Sequence, residues 1–239
     1  MSSLQSLAFT TQLLPRVVQE NTRTVPVVLA SITRLSCVIV QLEIPLDSES
    51  SDSMLSLLVL PSLDHLDISY KNIQSSTAAA DAGDGVVHML QRSSCALKTL
   101  KLSVWGPVIS DPLRLLQCGS SSSLEEISIL GFPFDRIRDI LSHPYIANDT
   151  ALFLPKLHST EIDVSSPSLT PEEYKLFEGY IRLFLESREA GGAALNRLHI
   201  HSQAIYTMSD FLKGRLLTLC DRGLCFYISR YDLNDPQPF

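Results

Sequence analysis

The chain predicts an α/β fold in which short strands and helices alternate, the strands forming one curved parallel sheet with helices on its convex side. Three observations predict it. A short apolar phrase, L-x-x-L-x-[LI], recurs from one end of the sequence to the other. The intervals between copies carry helix-start signals. Every second position of the phrase is polar, as expected of a strand with one face in a core and one in water.

The copies read Leu4, Leu7, Phe9; Ile39, Leu42, Ile44; Leu63, Leu66, Ile68; Leu97, Leu100, Leu102; Leu124, Ile127, Ile129; Leu157, Thr160, Ile162; Leu195, Leu198, Ile200; and Gly223, Phe226, Ile228. Two of these eight carry a substitution, Thr160 and Gly223. First positions are 35, 24, 34, 27, 33, 38 and 28 residues apart. Regular leucine-rich repeats run at roughly 20–29 residues, so the pattern is that of an irregular leucine-rich-repeat solenoid.

The helices between phrases have chemical starts and stops. Asp111-Pro112 precedes Leu113, Leu115 and Leu116. Thr170-Pro171-Glu172-Glu173 is a capping box with proline at the first helical position. Leu176, Phe177, Tyr180, Ile181, Phe184 and Leu185 follow at helical spacing, and Gly191-Gly192 can close that helix in the left-handed conformation. Ser209 opens a further helix running to Gly223.

A doubly wound sheet would also alternate strands and helices, but its central strands, covered on both faces, read as continuous apolar runs. Here they read Asp64-His65-Leu66-Asp67-Ile68-Ser69 and Lys98-Thr99-Leu100-Lys101-Leu102-Ser103, polar on one face. Stretches from Asp47 to Ser53, Ser75 to Gly85 and Gly119 to Ser123 read as surface loops, and none is long enough to part domains. The expectation is a single domain over 1–239, with a variable loop near Ser75 to Gly85.

Composition narrows the function. With 45% hydrophobic residues in 239 the chain can bury a substantial core. A formal charge of -7 and no basic run disfavour nucleic acid. The apolar windows Val25 to Ala30, Cys37 to Val40 and Met54 to Leu60 fall far short of the roughly 18 residues a spanning helix needs. No membrane partner follows. No secretory signal is visible, so the expected compartment is intracellular, cytoplasmic or nuclear. Cys37, Cys95, Cys118, Cys220 and Cys225 form an odd set without C-x-x-C spacing, which predicts reduced, mostly buried thiols. Asn148-Asp149-Thr150 is read as a chance glycosylation match.

Several phrases resemble the leucine-rich-repeat region of fungal F-box-like proteins. Leu60-Pro61-Ser62-Leu63-Asp64-His65-Leu66-Asp67-Ile68 looks like that family's repeat opening. Ser93-Ser94-Cys95-Ala96-Leu97-Lys98-Thr99-Leu100-Lys101-Leu102 looks like its serine-serine-cysteine repeat. Phe184-Leu185-Glu186-Ser187-Arg188 with Leu195-Asn196-Arg197-Leu198 is similar to its C-terminal helix and strand, and Gly223-Leu224-Cys225-Phe226-Tyr227-Ile228 to its final strand. The resemblance implies the substrate-recognition part of a ubiquitin-ligase subunit, without catalytic residues of its own. The F-box itself, which docks the ligase adaptor in that family, is not recognisable: Leu14-Pro15 alone does not supply it. Either the chain is a shortened relative, binding the adaptor only if an F-box is supplied elsewhere, or it acts without the adaptor. The rival readings are a repeat scaffold with no ubiquitin link and, remotely, an enzyme on a doubly wound fold.

If the first, fourth and sixth residues of each phrase point inward, the third, fifth and seventh face the concave side. The expected partner-contact residues are Glu43, His65, Asp67, Lys101, Glu126, Glu161, Asp163, Arg197, His199, His201 and Tyr227, flanked by Gln41, Thr99, Ser128 and Ser159. Strands about 4.8 Å apart would spread them over about 34 Å. The middle of this list is mostly acidic and one end basic or titratable, so a partner with a basic stretch is expected, against the plainer reading of ordinary mixed surface charge.

Other constellations yield no site. His199 and His201 share a strand face, but no third ligand stands at a fixed offset, so they read as surface histidines and no metal is expected. Glu125-Glu126 and Glu172-Glu173 do not form an acid and base pair. There is no G-x-S-x-G, Walker-type loop or G-x-G-x-x-G, and Asp81-Ala82-Gly83-Asp84-Gly85 lacks the acid that completes a calcium loop. Trp105, placed just beyond a strand, either anchors a partner or covers the core end. Cys220 and Cys225 read as core thiols. No catalytic residue and no cofactor are expected.

Overall fold

The computed structural model describes residues 4–13, 25–41, 54–71, 76–105, 112–146, 154–163, 170–202 and 208–230. The architecture is mixed α/β: from the strand at His65 onward strands and α-helices alternate as expected, whereas before it the described residues hold strands and one 3₁₀ turn but no α-helix. The chain divides into two compact units, Met1–Glu126 and Ile127–Phe239, where the sequence predicts one domain.

The first unit contains β1 (Ser6–Leu13), β2 (Val27–Val28), β3 (Arg34–Gln41), β4 (Leu58–Val59), β5 (His65–Lys71), α1 (Ser76–Ser93), β6 (Thr99–Trp105) and α2 (Pro112–Leu116). β1, β3, β5 and β6 are successive parallel neighbours, and β2 pairs with β4 separately. Register aligns Leu35 with Leu66 and Leu66 with Leu100, then Cys37 with Ile68 and Ile68 with Leu102. These side chains are at most 2% exposed, whereas the alternate positions His65, Asp67 and Ser69 are half-buried. Burial at every second residue is the predicted one-sided strand, and each enclosed leucine contributes roughly 1.5–3 kcal/mol.

The second unit contains β7, which opens at the junction (Glu126–Leu130), α3 (Phe134–Ile146), β8 (Ser159–Asp163), α4 (Pro171–Ala190), β9 (Arg197–Ser202), α5 (Asp210–Cys220) and β10 (Cys225–Arg230). The strand order is β7, β8, β9, β10, with β8, β9 and β10 parallel. Thr160, the substituted phrase position, pairs with Leu198 and is 3% exposed, so it does point inward. Helix α4 has the capping box foreseen: Glu173 N–H donates to Thr170 Oγ1 at 3.2 Å and Thr170 N–H to Glu173 Oε2 at 2.7 Å. Its buried stripe is Phe177, Ile181, Phe184 and Leu185, while Leu176 stands 54% exposed. Gly191 caps the helix and Gly192 takes φ +69°, a region that favours glycine. Ser209 caps α5, its side chain accepting from Leu212 N–H.

One hydrogen-bond figure recurs at the second residue of successive phrases. The carbonyl of Gln5 accepts from Thr33 and Arg34, that of Thr33 from Asp64 and His65, that of Asp64 from Lys98 and Thr99, and that of Lys98 from Glu125 and Glu126. In the second unit His158 takes the N–H groups of Asn196 and Arg197, and Asn196 that of Cys225. A turn bond opens five phrases, the first residue's N–H donating to the carbonyl three residues earlier: Ile32 to Leu29, Leu63 to Leu60, Leu124 to Ser121, Leu157 to Leu154 and Gly223 to Cys220.

That figure relocates the second phrase. It is Ile32, Leu35, Cys37, seven residues before the copy starting at Ile39, and pairings 28 and 31 residues apart replace the first two irregular intervals. Cysteine at the third apolar position, 1% exposed, obscures the match, and Ile39, within the same strand, offers a competing start. Both terminal phrases break the inward rule, with Leu4 64% and Ile228 45% exposed, because β1 and β10 each have one hydrogen-bonded neighbour in the sheet order. The expected loop from Ser75 to Gly85 is, from Ser76 on, the first half of α1. Its serines, glycines and aspartates resemble a turn, yet its alanines are the best helix formers. Gly119–Ser123 is a 3₁₀ turn, and Trp105 is the last residue of β6 rather than beyond it. Cys37, Cys95 and Cys118 are buried free thiols, Cys37 pushed up to about 12 by burial; Cys225 is exposed, against the core role expected of it. Glu43, Leu42, Ile44, Leu14-Pro15, Asn148 and the stretch 47–53 lie outside the described residues. No helix among the described residues is long and apolar enough to cross a membrane.

Candidate functional site

The polar face of β8, β9 and β10 gathers the chemistry. Parallel register sets Glu161 beside His199 and His199 beside Tyr227 in one row, then Asp163 beside His201 and His201 beside Ser229 in the next. Because alternate residues share a face, two histidines two apart on β9 are flanked by residues two apart on both neighbouring strands.

Glu161 is the hub. Its Oε1 lies 2.8 Å from His201 Nε2 and 3.4 Å from His199 Nδ1, and its Oε2 accepts from Ser128 Oγ on β7 at 2.6 Å. The far nitrogens of both rings converge on Ser229 Oγ, His199 Nε2 at 2.9 Å and His201 Nδ1 at 2.7 Å. The imidazole centroids are 4.0 Å apart. Glu161 is 34% exposed, His199 22% and His201 17%, so the cluster is reachable from solvent yet partly shielded. The hydrogen bond from His201 holds the Glu161 carboxyl down at about 2, against the opposing effect of burial, with Ser128 and the charges of both histidines adding to it. Burial and the neighbouring His201 lower His199, although Glu161 pulls the other way.

Beside the cluster stands an aromatic patch. Tyr227 is 52% exposed, meets the His199 ring edge-on at 6.0 Å, and has the Arg197 guanidinium 5.9 Å from its ring centre. Arg197 is itself exposed.

The other residues expected at a partner surface divide. In the first unit Lys101 and Glu126 are exposed. His65 is half-buried, with Nδ1 2.5 Å from Asp64 Oδ1. Asp67 lies opposite Lys101, and burial raises its carboxyl despite that cation. Asp163 is corrected: it shares the row of His201 but is 5% exposed, and its Oδ2 accepts from Gly131 N–H at 3.3 Å, so the turn after β7 covers it and it offers no open partner surface. As the seventh residue of its phrase it was expected on the open face, but the strand ends there.

Three residues have roles that the sequence reading does not assign to them. Ser229 follows Tyr227 at strand spacing, a signal that was present. Ser128 stands among the residues expected on the open strand face, without the bond to Glu161 that the structure gives it. Arg188 is 1% exposed and donates from Nη1 to Leu154 O at 2.6 Å, from Nη2 to Leu157 O, and from Nε to Ala193 O at 3.1 Å. Burial lowers it to about 10. It closes the backbone of the turn before β8, where Leu154 takes φ +53°.

Comparison with protein-family models, with curated proteins and with solved structures yields no significant match.

Proposed function

We propose that the chain is a non-catalytic interaction module of the leucine-rich-repeat type, resembling the substrate-recognition region of an F-box ubiquitin-ligase subunit, and that it binds a protein partner. The repeat reading is supported by the recurring carbonyl figure, whose acceptors occupy equivalent phrase positions in both units. The partner reading is carried by one observation: Tyr227, half-exposed, between Arg197 and His199 on the polar strand face. Tyrosine and arginine are the residue types that most often dominate binding energy, because they present large area with little conformational freedom to lose. A basic stretch on the partner would meet Glu161.

Affinity purification of the full chain from its native cells, beside the Tyr227→Ala and Arg197→Glu variants, tests this. At least one retained protein should be lost with either variant, and an identical retained set would overturn the reading. Copurification of the ligase adaptor separates a recognition subunit from a repeat scaffold with no ubiquitin link.

A further inference from the structure

Three hydrogen bonds join the contacts around Glu161, and neutral side chains can supply them: His201 Nε2–H donates to Glu161, Ser229 O–H to His201 Nδ1 and His199 Nε2–H to Ser229 Oγ. That arrangement leaves the lone pair of His199 Nδ1 facing Glu161 Oε1 at 3.4 Å. A cation between them would turn that opposition into attraction.

We propose that Glu161, His199 and His201 bind a divalent transition-metal ion of the zinc class, with Ser229 orienting both imidazoles. The ion takes the lone pairs of His199 Nδ1 and His201 Nε2 together with Glu161 Oε1. The remaining ring hydrogens, on His199 Nε2 and His201 Nδ1, then both point at Ser229 Oγ, which has two lone pairs to accept them. Every approach is satisfied, and a hydroxyl fixes the tautomer of each ligand.

Distances agree with this. One ligand atom from each of the three residues lies within 4.8 Å of the others. Zinc to nitrogen or oxygen bonds of about 2.0–2.1 Å in tetrahedral array put ligand atoms about 3.3 Å apart. His199 Nδ1 and Glu161 Oε1 already stand 3.4 Å apart, and the 2.8 Å between His201 and Glu161 must open by about half an ångström. Two imidazoles and one carboxylate suit zinc, copper, nickel or cobalt, while calcium and magnesium prefer all-oxygen shells. Three protein ligands leave a fourth position for water or another group.

Sequence reading dismissed a metal because no third ligand lay at a fixed offset along the chain. The third ligand comes from the neighbouring strand, set beside His199 by register.

The full chain, stripped with chelator, is titrated with zinc by calorimetry and with cobalt followed by absorption. One ion per chain is expected. His201→Ala and Glu161→Gln should each weaken it at least tenfold, and Ser229→Ala by about 10–100-fold. His88→Ala, an exposed histidine on α1, should change nothing, and calcium should not compete. Circular dichroism checks that the variants fold, and imidazole nitrogen shifts of His199 and His201 in the unsubstituted chain report ligation independently of them. Absence of a stoichiometric site, equal affinity in His201→Ala, or unmoved imidazole resonances would overturn the proposal and leave the cluster as a hydrogen-bonded group without metal. Metal uptake by the free chain and partner capture through Tyr227 are separate readouts, so either can fail alone.

Discussion

Glu161 and His199 tie stability to pH through single side chains. Glu161 has a folded value of about 2 against an ordinary 4.5, so the folded state holds the ionised form more strongly than the unfolded chain does. Its contribution is present above 4.5 and is lost as pH falls toward 2. His199 is lowered from 6.5, so the unfolded chain takes the proton first and stability also declines as pH drops below 6.5. Both act in the same direction. Denaturation midpoints measured from pH 8 to 3 should fall in these two windows, and the difference between wild type and Glu161→Gln should shrink below 4.5. A difference constant with pH would refute the linkage. Glu161 is about a third exposed, so added salt should diminish the effect. Half of this constellation was legible in the sequence: alternation alone puts His199 and His201 on one face. Glu161 was placed on the same strand surface, but its pairing with them depends on register between strands joined through α4, which no local pattern specifies.

At the scale of elements, α4 shows what local chemistry does specify. Its start rests on contacts between residues three apart, Thr170 and Glu173, and its stripe on the helical period, so both were readable from the sequence. Thr170→Ala removes the acceptor for Glu173 N–H and should cost about 1 kcal/mol, while Thr170→Ser should retain most of it. Urea midpoints of the two variants measure this, and equal midpoints would show the box to be idle in solution. The misplaced second phrase and the helix taken for a loop have the opposite origin. Ile32, just before β3, and Leu35, Cys37 and Ile39 within it are all at most 2% exposed, so the apolar pattern lets a phrase begin at either Ile32 or Ile39. The hydrogen bonds that the Thr33 carbonyl accepts from Asp64 and His65 of the next phrase distinguish them. In α1, Ser, Gly and Asp side chains spell a turn, yet Val86, Met89 and Leu90, each fully enclosed, anchor the helix from its C-terminal half. Tertiary burial there overrides weak local preference.

For the molecule as a whole, the repeat proposal makes a claim about cooperativity. In a stack where each repeat touches only its neighbours, stability is a sum of local terms, and damage in one place loosens adjacent repeats before distant ones. Arg188 is the place to inflict it. Its guanidinium satisfies the carbonyls of Leu154, Leu157 and Ala193 from full burial, joining the end of α4 to the turns that open β8 and follow the helix. These acceptors are backbone groups, two of them more than thirty residues away, so the phrase that ends at Arg188 did not reveal what its side chain holds. Arg188→Leu keeps the apolar bulk and removes all three donors, at a cost on the order of 3 kcal/mol. Amide hydrogen exchange should then accelerate in β8, α4 and β9, while β3, β5 and β6 of the first unit keep their protection. Uniform acceleration across every strand would mean that the chain opens as one cooperative body, and the additive repeat description would have to be given up.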